Sequence, residues 1–92
     1  MKIPMIFCKK KLMWKEIDNC LQATFKFKNF TEAFAFMTEV AFTAEKQRHH
    51  PNWSNVYNKV SFELTTHDEG NTVTEKDQKL AEAISQIFEK YN

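Results

Sequence analysis

Residues 21–48 read LQATFKFKNFTEAFAFMTEVAFTAEKQR, and the hydrophobic period changes partway through them. Leu21, Ala23, Phe25 and Phe27 alternate with Gln22, Thr24, Lys26 and Lys28. One apolar face and one polar face at period two predict a strand of an antiparallel sheet. After Asn29 the spacing becomes helical, with Phe30, Ala33, Phe34, Met37, Val40, Ala41 and Ala44 on one stripe. That stripe predicts a helix over 29–48. Asn29 can cap its first turn, and Glu32 sits three residues later, as in a capping box. Phe36 and Phe42 lie off the stripe. Either they are partly buried at its edges or they form a second apolar face that another subunit covers, and the pattern leaves both readings open.

Upstream, residues 14–17 suit a short strand and Asp18-Asn19 a turn. Downstream, Pro51 ends the helix. Its ring pushes His50 out of the helical region, so the helix should stop near Arg48 or His49. Val60, Phe62 and Leu64 then alternate with Ser61, Glu63 and Thr65. Asn58 shares the inward parity, which suits a turn or bulge near 55–59 and hence two strands. Residues 66–73 form a loop with the only glycine, Gly70. Thr74 opens a second helix, with Asp77 three residues on and a stripe of Leu80, Ala81, Ile84, Ile87, Phe88 and Tyr91. Glu75 and Asp77 suit the positive end of its dipole, and Lys90 the negative end. The order is β-β-α-β-β-α. It predicts an α+β fold in two layers, a four-stranded antiparallel sheet with both helices packed on one face.

The 92 residues suit one small domain spanning 1–92. Thirteen basic residues against twelve acidic ones argue against nucleic-acid binding driven by bulk charge. One glycine and two prolines leave little room for an all-β fold rich in tight turns, and nine phenylalanines predict an aromatic core. The apolar stretch at 3–8 contains Pro4 and precedes Lys9, Lys10 and Lys11. It is too short to span a membrane, and its charges follow rather than precede it as a secretory signal would require. Cys8 and Cys20 form no CxxC, and both read as reduced thiols of an intracellular protein.

His49, His50 and His67 all fall at the ends of elements, where side chains converge while the scaffold stays rigid. The bland alternative is three exposed loop histidines. Metal ligation by these histidines and a carboxylate is disfavoured, because adjacent histidines diverge and there is no HExxH. Ser54, Ser61 and Ser85 lack the glycine-flanked elbow of a nucleophile. General acid–base catalysis fits best, since an imidazole with an ordinary pKa of about 6.5 offers both protonation states near neutral pH. Glu45, one turn before His49, can orient a ring or bind a substrate donor, or can be a solvated surface charge.

Taken together, Glu45, His49-His50-Pro51, Tyr57, His67 and Asp77 form an ordered set. It resembles the pattern of the pterin-4a-carbinolamine dehydratases: an acid, His-His-Pro after three residues, an aromatic, a His or Trp ten residues on, and an Asp in the last helix. The likeness extends upstream through Val40, Phe36, Ala33, Phe30, Phe27 and Phe25 to Trp14, about four-fifths of the chain. The sequence departs from the family before Trp14, where residues 1–12 are too short and lysine-rich to repeat a usual helix. It departs again at Gly70-Asn71-Thr72-Val73, where the family usually closes the loop with Gly-Leu.

The resemblance implies dehydration of a 4a-hydroxytetrahydropterin to quinonoid dihydropterin, downstream of an aromatic amino acid hydroxylase, with no cofactor and no metal. It implies His49 and His67 as the acid–base pair and His50 as the residue that binds and orients the pterin. Glu45, Arg48, Pro51, Thr65, Thr66 and Asp68 would line the pocket, with Trp14 at its edge. Asp77 can instead be explained as a helix cap. The family forms homodimers and homotetramers, with Phe36 and Phe42 as candidate contacts here, and no direct nucleic-acid or membrane contact is implied. The implied compartment is the cytoplasm, with the nucleus also open. The alternatives are a non-catalytic dimerisation cofactor of a homeodomain transcription factor and a pterin-related protein of molybdopterin metabolism.

Overall fold

The computed structural model describes residues 13–91. The expectations for residues 1–12, including Cys8, lie outside the described residues. Strand β1 (Lys15–Ile17) turns at Asp18 and Asn19, both with positive φ, into β2 (Cys20–Lys26). Aspartate and asparagine tolerate that conformation better than most residues. Helix α1 (Phe30–Gln47) follows, then β3 (Asn52–Val56), β4 (Lys59–Leu64), a single 3-10 turn (His67–Glu69) and α2 (Glu75–Phe88). Every strand pair is antiparallel, and the sheet order is β1-β2-β4-β3. The predicted α+β order and two-layer arrangement are therefore present.

The central strands pair with Ala23 opposite Phe62 and Phe25 opposite Val60. Their shared face, Ala23, Phe25, Phe27, Val60, Phe62 and Leu64, is buried against the helices. Phe25 sits inside the aromatic core. Its ring lies 4.7 Å from that of Phe88, 5.6 Å from Phe36 and 5.7 Å from Phe62, within the range of favourable edge and tilted contacts. The β3–β4 turn is pinned to β2 by Phe27 N–H donating to Asn58 O at 2.8 Å and Asn58 Nδ2 donating to Phe27 O at 2.9 Å. That contact explains the inward parity of Asn58.

The face of α1 differs from expectation. Ala33, Phe36, Val40 and Ala44 are buried, whereas Phe30 and Phe34 are 48% and 56% exposed and Ala41 faces solvent. Two stripes share Ala33, Val40 and Ala44, and a period of 3.6 admits either. The one containing Phe36 packs because that ring fits between Phe25, Phe27 and Phe62. Phe36 is thus a core residue and unavailable as a subunit contact, while Phe42 stays exposed.

Helix α1 ends where the sequence places its end, at Gln47 with Arg48 as its cap. Arg48 is left-handed, with φ 56°. Its N–H donates to Glu45 O, and His49 N–H donates to Ala44 O, both at 3.1 Å. This is a Schellman turn with arginine where glycine is usual. Pro51 restrains the chain three residues further on, but the left-handed Arg48 stops the helix first.

Candidate active site

Helix α2 begins with the capping box that the sequence predicts. Thr74 N–H donates to Asp77 Oδ2 at 2.8 Å. The same carboxylate reaches further. Thr66 Oγ1 donates to Oδ2 at 2.7 Å, and His49 Nε2 lies 2.6 Å from Oδ1. A carboxylate only accepts, so Nε2 carries a hydrogen, and His49 Nδ1 has no hydrogen-bond partner among the described residues. The Thr66 hydroxyl gives its only hydrogen to Asp77. The Thr74 hydroxyl, 2.7 Å from Thr66 Oγ1, is therefore the donor in that contact.

The Asp77 side chain is fully buried and that of His49 is 12% exposed. Burial pushes the Asp77 carboxyl up. Hydrogen bonds from His49, the Thr74 N–H and Thr66 more than offset it and hold the group below its ordinary value. One ionised carboxylate thereby joins the turn after α1, the end of the β4 segment and the first turn of α2. His67 is covalently next to Thr66 and His50 next to His49, so the two segments that carry the three histidines meet at this joint.

The other expected residues are placed as follows. His50 Nε2 donates to Glu45 Oε1 at 2.9 Å, with side chains 67% and 80% exposed. His67 is exposed, and its Nδ1 lies 2.6 Å from Asn71 Oδ1. Arg48 and Asp68 are exposed and Pro51 is half-buried. Two residues are committed elsewhere. Thr65 Oγ1 donates to Asn19 O at 3.1 Å, in the β1–β2 turn. Trp14 is buried in the core, and its indole N–H donates to Ser85 Oγ at 2.8 Å. Tyr57 is exposed at the β3–β4 turn.

Asp77 is the residue whose reach sequence reasoning missed. Its capping spacing accounts for it fully at the local level and hides the contact with His49, 28 residues away. Among the described residues, no group of three or more His, Cys, Asp or Glu side chains is placed to hold a metal ion. No described helix is long and apolar enough to cross a membrane.

Comparisons with known proteins bear on this arrangement. The family described as Pterin 4 alpha carbinolamine dehydratase matches residues 6–87. A protein of Prochlorococcus marinus strain MIT 9515, provisionally named a pterin-4-alpha-carbinolamine dehydratase, is 53% identical over 77 residues, covering 84% of this chain and 79% of its own. One of Christiangramia forsetii with the same provisional name is 51% identical over 79 residues, covering 86% and 80%. A crystal structure from Brucella melitensis, described as a transcriptional coactivator/pterin dehydratase, superposes with a TM-score of 0.80 at 40% identity and covers 95% of each chain.

Proposed function

The chain belongs to the pterin 4 alpha carbinolamine dehydratase family, and on that premise we propose that it dehydrates a 4a-hydroxytetrahydropterin to quinonoid dihydropterin. The observation that carries this reading is His49 held through Nε2 by a buried carboxylate, with no partner on its other ring nitrogen among the described residues.

The reaction loses one water and needs no oxidant or reductant. An acid protonates the 4a hydroxyl so that it leaves as water, and a base removes a ring-nitrogen proton. His49 and His67 take these two roles. Asp77 fixes the tautomer and direction of His49 and stabilises the ring when it is charged, as a carboxylate does behind a catalytic imidazole. His50, tied to Glu45 on the surface, binds and orients the pterin. Arg48, Pro51 and Asp68 lie on the same segments and are assigned to the surroundings of the bound pterin. Thr66 supports it from behind through Asp77. Trp14 and Thr65 act through the scaffold, because their polar atoms are already bonded to Ser85 and Asn19.

The test is to supply enzyme-generated carbinolamine and follow loss of its ultraviolet band. A positioned acid or base contributes roughly 10²–10⁴-fold, so His49→Ala with His67→Ala should cut the rate at least that far. An unchanged rate in the double variant would remove both roles.

A second reading comes from the Brucella neighbour, whose description pairs coactivation with dehydration. Binding of a partner would use the exposed α1 face, where Phe34 and Phe42 stand in solvent. That face equally supports a homodimer or homotetramer, for which Phe36 is no longer a contact. Sedimentation as a monomer would remove the oligomer. We place the chain functionally beside an aromatic amino acid hydroxylase, in the cytoplasm, acting without a cofactor.

A further inference from the structure

The loop after β4 is folded tightly on itself. Thr66 N–H donates to Thr72 O at 2.9 Å, Gly70 N–H to His67 O at 3.2 Å and Asn71 N–H to Thr66 O at 3.1 Å. Thr72 Oγ1 donates to Glu69 O at 2.9 Å. Gly70 and Asn71 are both left-handed, with φ 75° and 60°. Asparagine is among the few side chains that accept this conformation readily. The fold-back sets the Asn71 amide beside the His67 ring, with Oδ1 2.6 Å from Nδ1.

An amide oxygen accepts and cannot donate, so Nδ1 carries a hydrogen. Nε2 of His67 has no hydrogen-bond partner among the described residues. In the neutral ring Nε2 then holds the lone pair. When Nε2 takes a proton, Nδ1–H is unaltered and the contact with Asn71 persists. The ring can therefore accept and release a proton without losing its anchor.

We infer that Asn71 is a positioning residue for His67, selecting the Nδ1–H tautomer and leaving Nε2 to exchange a proton with the pterin. This rests on the reading of His67 as one of the acid–base pair. His49 is set the opposite way, with Nε2–H held by Asp77 and no partner for Nδ1 among the described residues. The two rings thus offer different nitrogens. The residue responsible at His67 lies in the segment Gly70-Asn71-Thr72-Val73, where this chain departs from the family pattern.

The test uses the whole protein labelled with ¹⁵N-histidine. Long-range ¹H–¹⁵N correlation reads the tautomer of His67 without substrate, and the carbinolamine assay reads kcat and KM. Asn71→Gly keeps the left-handed backbone and removes the acceptor. Asn71→Asp keeps an acceptor in place. Wild type and Asn71→Asp should show Nδ1–H. Asn71→Gly should shift toward Nε2–H and lose about fivefold in kcat, the bias that one neutral hydrogen bond supplies, with KM little changed. A wild-type ring already in the Nε2–H form overturns the inference, as does Asn71→Gly with tautomer and kcat both unmoved. If the tautomer shifts but His67→Ala keeps full activity, the acid–base reading and the exchange role fall together. The tautomer signal separates that failure from failure of the contact itself.

Discussion

His49 and His50 are neighbours in sequence, and each ring nitrogen meets a carboxylate, at 2.6 Å and 2.9 Å. The surroundings differ. Asp77 is fully buried, reaches His49 across 28 residues, and accepts two further hydrogen bonds. Glu45 lies five residues from His50 and both side chains are largely exposed. Water and salt screen the second pair, and holding two free side chains together costs it entropy. The first is desolvated, so removing one partner leaves a buried polar group unmatched. Identical chemistry is thus a structural joint in one place and a loose surface contact in the other.

The strongest way to break this comparison is truncation of each carboxylate. Asp77→Ala should destabilise the fold by about 3 kcal/mol, because a buried charged hub loses its function for three donors at once. Glu45→Ala should change stability by less than about 0.5 kcal/mol. Urea titration of both variants measures the difference, and comparable losses would refute it.

Acid sharpens it next. Asp77 titrates below its unfolded value of about 3.9. The stability it supplies is therefore fully present above that value and is lost as pH falls through the lower, folded one. Wild-type stability should decline progressively below about pH 5. Asp77→Asn should start lower at neutral pH and show a flatter decline over the same range. Parallel curves would show that Asp77 is not the titrating group.

The smallest effect is on salt. A double-mutant cycle on Glu45 and His50 should give under about 0.5 kcal/mol of coupling, vanishing near 1 M salt where the screening length is about 3 Å. The same cycle on Asp77 and His49 should survive that salt.

The two pairs also mark where sequence reasoning succeeds and where it stops. The alternation of Ala23, Phe25 and Phe27, the Asp18-Asn19 turn and the Thr74–Asp77 box are local patterns, and each appears as expected. Glu45 lies one turn before His49, which the spacing shows, yet it pairs with His50 because the left-handed Arg48 breaks the helix between them. The rotation of α1 is not legible in the sequence. Phe30, Phe34 and Phe36 all satisfy a helical period, and only the shape of the sheet's aromatic surface decides that Phe36 goes inside. His49 and Asp77 meet only because two helix ends converge, which no spacing encodes. Asn71 carries a faint signal, an asparagine after the only glycine, and nothing in that signal names His67 as its partner.

The bond from the Trp14 indole to Ser85 joins residues 71 apart, and the central strands β2 and β4 pair across the whole of α1. Contacts this distant in sequence raise the contact order above that of a helical bundle and slow folding relative to one. A ribosome must release α2 before Phe88 can close over Phe25. Until then the growing chain displays unsheltered aromatic rings, so nascent copies should lean on chaperones more heavily than a helical bundle of equal length.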